Sequence, residues 1–160
     1  MKNILKQIES YLREENVNCS YNEEHEAFIF SVSGDVTDYT ITIYVPNEKA
    51  VIIWAKLPIT IPNSAHKNIL KVINKINGEA IFSFLHLHHE FSTVNSQTSF
   101  VFENREVSKY VLITHISSVV MLLDTNIELI LSKAFGEQNF KEYIYKHNLG
   151  KSKESSLVQL

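Results

Sequence analysis

The stretch Tyr39-Thr40-Ile41-Thr42-Ile43-Tyr44-Val45-Pro46-Asn47-Glu48-Lys49-Ala50-Val51-Ile52-Ile53-Trp54-Ala55-Lys56-Leu57 decides the fold class. From Tyr39 to Val45, Ile41, Ile43 and Val45 alternate with Thr40, Thr42 and Tyr44. A period of two turns every second side chain to the same face, so this run predicts a half-buried strand. Pro46-Asn47-Glu48 supplies turn chemistry. From Ala50 to Leu57 both faces are apolar: Val51, Ile53, Ala55 and Leu57 on one, Ile52 and Trp54 on the other. Such a strand is central in its sheet or hidden by a partner. The short turn between the two runs makes them antiparallel neighbours.

The same reading extends in both directions. Upstream, Phe28, Phe30 and Val32 alternate through Ala27 to Ser33, and Ser33-Gly34-Asp35 is a turn signal. Three strands in an antiparallel meander follow, with a weaker strand predicted around Val17 to Tyr21. Before them, Ile4, Leu5, Ile8, Tyr11 and Leu12 fall at helical spacing and predict an amphipathic helix from Asn3 to Glu15. Downstream, Pro58 and Pro62 are expected to end the central strand. Asn63 or Ser64 is expected to cap a second helix reaching Asn77, with Gly78 as a left-handed cap. Ala80 to His88 and Ser99 to Glu103 read as two further strands, separated by a polar loop from Ser92 to Thr98. Their phenylalanines Phe82, Phe84, Phe100 and Phe102 are assigned to the core with Phe28 and Phe30. A long third helix starts at Ser108 and ends at Gly136; Leu112, Ile116, Leu123, Ile127 and Ile130 form its apolar face, and Thr114, Ser117, Asp124 and Glu128 its polar face. The order is one helix, three to four strands, a helix, two strands and a helix. It predicts an α+β fold, an antiparallel sheet with flanking helices. The domain is assigned to residues 1–136, and residues 137–160 to a short helix and a flexible tail.

Composition narrows the function. The chain has 160 residues, 44% of them hydrophobic, which suits one domain with one core. The net charge is −3, and Arg13 and Arg105 are the only arginines, which argues against nucleic-acid recognition. A single cysteine, Cys19, allows no disulfide within the chain. Lys6, Gln7 and Glu9 interrupt the N-terminal apolar residues, so no secretory leader is expected. Asp124 and Glu128 interrupt the apolar segment from Tyr110 to Leu131, which reads as a core helix and not as a membrane span. The expected location is the cytoplasm.

Few residues offer chemistry. His86 and His88 point to one face of a strand, about 7 Å apart by strand geometry. With a third ligand they would suit zinc or copper; otherwise they are a solvated strand end. Cys19 has no activating neighbour in sequence and reads as packing. Glu14-Glu15 and Glu23-Glu24, the latter beside His25 and Glu26, read as solvated acids. The four glycines are scattered and build no phosphate loop. No cofactor and no enzyme activity are expected. Asn74 and Asn77, three apart on a helix edge, are either ligand contacts or hydrogen-bonding ties to the next strand. Ile52 and Trp54 are the tentative interface residues: a second copy of the chain, a client segment or a helix would cover them.

Several local words carry a resemblance. They are Leu57-Pro58-Ile59-Thr60-Ile61-Pro62 leading into a helix, the ending Ile73-Asn74-Lys75-Ile76-Asn77, the phenylalanine-bearing strand from Ala80 to Leu87, and the long helix closing on Gly136. Over residues 1–136 the chain resembles the YbjN-domain family of bacterial proteins. The resemblance implies a fold like that of type III secretion chaperones, small acidic proteins that dimerise and bind extended client segments. It implies no catalytic residues. His86-Leu87-His88-His89-Glu90 departs from the family's words and leaves room for a local specialisation. The function expected is therefore a non-catalytic, homodimeric protein-binding module of a chaperone-like or regulatory kind, with metal or small-molecule sensing at His86 and His88 as the alternative.

Overall fold

In the computed structural model, which describes residues 2–104 and 106–136, the meander forms as its periodicity requires. Strands β2 (Ala27–Ser33), β3 (Asp38–Asn47) and β4 (Ala50–Thr60) pair antiparallel, with Phe30 opposite Ile41 and Ile41 opposite Ala55. A three-residue strand β1 (Ser20–Asn22) joins one edge. Strands β5 (Phe84–His88) and β6 (Thr93–Val101) complete the other side, giving the order β1-β2-β3-β4-β6-β5, antiparallel throughout. The twice-apolar β4 is central, as its composition demands.

Helices α1 (Lys2–Glu14), α2 (His66–Asn77) and α3 (Lys109–Phe135) all cover one face. The alternation shows it: Ile41, Ile43, Val51, Ile53, Ala55 and Leu57 are fully buried, whereas Thr42, Tyr44, Ile52 and Trp54 between them are only half-buried. Ile4, Ile8 and Leu12 of α1 and Leu112, Leu123, Ile127 and Ile130 of α3 join them in one apolar cluster. Ser108 caps α3, its hydroxyl accepting from the Val111 N–H at 3.4 Å. By length and composition α3 would suffice to cross a membrane, but here it lies along the sheet as the central core helix.

Four local expectations are corrected. Strand β4 runs through Pro58 to Thr60. Its pairing with β3 stops at Lys56 and its register with β6 shifts between Lys56 and Thr60, so the missing N–H of Pro58 costs no regular ladder bond. Neither Asn63 nor Ser64 caps α2; residues Asn63–Ala65 form a 3₁₀ turn, and the helix proper begins at His66. Gly78 has φ −66°, so the helix ends without a left-handed residue. The supposed loop from Ser92 to Thr98 is most of β6. Its composition is that of a loop, yet Thr93, Ser96 and Thr98 are buried in the strand itself.

The phenylalanines divide. Phe28 and Phe30 are core, and Phe100 and Phe102 pack partly against it. Phe82 is 62% exposed and Phe84 is exposed as well, because β5 starts only at Phe84 and Phe84 points to the uncovered face. Residues 137–160, assigned above to a short helix and tail, lie outside the described residues.

Candidate functional site

The uncovered sheet face is built row by row from the strand register. One row crosses five strands: Ile29, Thr42, Trp54, Gln97 and Phe84. On one side of it runs Ser31, Thr40, Lys56, Asn95 and His86; on the other run Ala27, Tyr44, Ile52 and Ser99. Ile52 and Trp54 are thus brought together on this face, half-buried by their neighbours and under no helix among the described residues. Trp54 is fixed on two sides. Its Nε1–H donates to Gln97 Oε1 at 2.7 Å, and its ring stacks on Tyr44 with centroids 6.2 Å apart and planes 16° from parallel. Beside this pair a cavity of about 400 Å³ opens, lined also by Thr42, Ala27 and the β1–β2 turn residues Glu24, His25 and Glu26.

His86 and His88 lie on the same face, at the β5 edge. The Nδ1 of His86 is buried without a hydrogen-bond partner among the described residues. Burial, and then the neighbouring His88, hold His86 below the ordinary imidazole range. The His88 ring lies 4.7 Å from that of Phe91. Among the described residues no group of three His, Cys, Asp or Glu side chains is placed to hold a metal. Lys56 stands in the row of His86, an unfavourable neighbour for a cation.

Asn74 and Asn77 separate in role. Asn77 at the end of α2 grips the main chain of Leu85: its Nδ2 donates to the Leu85 carbonyl at 2.9 Å, and the Leu85 N–H donates to its Oδ1 at 2.7 Å. This amide takes the place of a further strand along β5. Asn74 is exposed and offers its backbone carbonyl to the Gly78 N–H at 3.2 Å. Cys19 is half-buried, and burial, then the charge of Glu9, push its thiol up, the direction opposite to activation.

Two polar constellations had no signal in the linear sequence. Asp124, assigned to the polar side of α3, accepts from the N–H of Asp35 at 2.7 Å and from the buried Tyr39 hydroxyl at 2.7 Å. It thereby fastens the β2–β3 turn to α3. Burial and the adjacent Asp124 carboxylate hold the Tyr39 phenol far above its ordinary value. Thr98 on β6 donates to the Phe82 carbonyl at 2.7 Å and lies 2.7 Å from His115 Nδ1. With its one proton committed to Phe82, the hydroxyl accepts from Nδ1–H. Burial holds His115 below the ordinary imidazole range.

No protein-family model matches this chain, and no curated protein matches it by sequence. Among solved structures, YbjN from E. coli superimposes with a TM-score of 0.57 at 13% identity, covering 77% of this chain and 90% of that one. The fold is that of YbjN. The resemblance read from the sequence therefore holds at the level of architecture. A chain of the HopA1–SchA chaperone–effector complex is similar more loosely, with a TM-score of 0.48 and 12% identity over 74% of this chain and 90% of that one. At such identity the YbjN likeness transfers no residue roles.

Proposed function

We propose that this chain is a non-catalytic, cytoplasmic protein-binding module that docks an extended client segment on the uncovered face of its sheet. One observation carries the reading: Trp54, Tyr44, Ile52 and Ile29 form a continuous, half-buried apolar band on a six-stranded sheet whose described helices all lie on the other side. The hydrogen bond to Gln97 and the stack on Tyr44 hold the indole ready, so little side-chain entropy is lost when a partner covers it. Groups of this kind, amphipathic and rigid, dominate interface energies. Among the described residues no group of three His, Cys, Asp or Glu side chains is placed to hold a metal, and the Thr98 hydroxyl beside His115 has its proton committed to the Phe82 carbonyl.

The test is selection of peptides from a random display library, followed by mapping of the bound peptide by amide exchange and NMR shifts. Peptides that shift residues of β2, β3 and β4, and that lose binding in Trp54→Glu with the fold intact, are the expected result. A footprint elsewhere, on α3 for example, overturns the assignment. A dimer in solution that Trp54→Glu dissociates would make a second copy of the chain the occupant instead.

A further inference from the structure

We propose that the cavity between the Trp54–Tyr44 stack and the β1–β2 turn is a specificity pocket for a cationic side chain, arginine foremost, of the docked polypeptide. This deepens the docking reading and rests on it. Three observations converge. The cavity measures about 400 Å³, room for one long side chain and its water. One wall is aromatic, made by the stacked rings of Trp54 and Tyr44. A second part of the wall is supplied by Glu24 and Glu26 of the β1–β2 turn.

Each wall serves a cation in a different way. The π-faces of Trp and Tyr attract a cation through their quadrupole, tryptophan most strongly. Carboxylates accept the N–H groups of a guanidinium in a planar fork, while the flat guanidinium stacks on a ring. Arginine satisfies both walls at once, whereas lysine offers a point charge and no plane. Neither Glu24 nor Glu26 has a lysine or arginine partner among the described residues, although Glu9, Glu14 and Glu15 do. Their charge is therefore available to a ligand. The turn that presents them is shaped from within, since the His25 N–H donates to Asn22 Oδ1 at 2.9 Å. The net charge of −3 favours a basic partner at long range. Two of its lining residues, Ala27 and Tyr44, belong to the row that continues through Ile52 to Ser99, so a chain lying along the apolar band passes beside it.

The experiment uses four fluorescein-labelled nine-residue peptides of alternating valine and threonine, with arginine, citrulline, lysine or glutamate at the centre. Binding to the full chain is read by anisotropy, and emission of Trp54, the only tryptophan, is followed with unlabelled peptides. The arginine peptide is expected to bind about tenfold tighter than its citrulline twin and to change Trp54 emission, with lysine between them and glutamate weakest. Glu24→Gln/Glu26→Gln is expected to bring the arginine-to-citrulline ratio close to one while the melting temperature stays in place, since both side chains are exposed. Equal binding of the arginine and citrulline peptides overturns the cation pocket and leaves the docking face standing. An arginine preference that survives the double variant also overturns it, because the charge would then be read elsewhere. Binding by none of the four peptides overturns both readings.

Discussion

Asn77 spans the gap between a helix end and an edge strand with a single amide. Its two hydrogen bonds to Leu85 occupy a donor and an acceptor that no strand reaches. Asn77→Ala leaves both half-buried and unpaired, and is expected to lower stability by about 2–3 kcal/mol in urea unfolding. Asn74→Ala removes an exposed side chain and is expected to change it by less than about 0.5 kcal/mol. Both asparagines stood out in the sequence, but only the packing of α2 against β5 separates a tie from a surface residue. Asp124 teaches the opposite lesson. It sits on the polar side of its helix pattern, and its partners Asp35 and Tyr39 are 89 and 85 residues away in the chain. Gly34 passes so close that a Cβ there would lie 2.3 Å from Asp124 Oδ1 and 2.5 Å from the Tyr39 ring. Gly34→Ala is therefore expected to cost about 1–3 kcal/mol through overpacking, measured by the same unfolding experiment.

Strand β6 shows how an element forms against its own composition. Seven of its nine residues are not aliphatic, yet β4 on one side and β5 on the other supply its ladder. The Thr98 hydroxyl is satisfied by Phe82 and His115, which joins β6, α3 and the approach to β5. That junction makes stability sensitive to acid. His115 and His86 both have folded-state pKa values lowered mainly by burial, so the unfolded chain binds protons more tightly than the folded one. Their contribution is complete above the ordinary imidazole pKa of about 6.5 and is lost as pH falls through that value toward the folded one. The urea midpoint is expected to fall between pH 7.5 and pH 5.5, and to fall less in His115→Gln. An equal fall in the variant would place the sensitivity in other groups. Strand β4 is legible from Ala50 to Leu57 because both of its faces are apolar, but its continuation through Pro58 to Thr60 is not, because a proline reads as a stop. Which face stays uncovered is not legible either, because a helix above Trp54 would suit the same letters.

At the scale of the molecule, one apolar cluster among the described residues runs from Ile4 of α1 to Leu131 of α3. That cluster is expected to suffice for the fold: a chain ending at Gly136 should unfold in one transition, with a midpoint within a few degrees of that of the full chain, as followed by circular dichroism. Trp54→Glu is expected to unfold the same way, losing about 1–2 kcal/mol for a half-buried ring, a hydrogen bond and a stack, while leaving the core intact.

The sequence by itself determined the α+β class, the meander of β2, β3 and β4 and the long core helix α3. These depend on local periodicity, and every turn of the pattern is written in adjacent letters. Only the tertiary structure decided that β6 is a strand, that Asn77 and not Asn74 ties α2 to β5, that Asp124 clasps the β2–β3 turn, and that Trp54, Tyr44, Glu24 and Glu26 share one cavity. The reason is physical. Those features are contacts between groups far apart in the chain, and their free energies appear only when packing has removed water and set the distances.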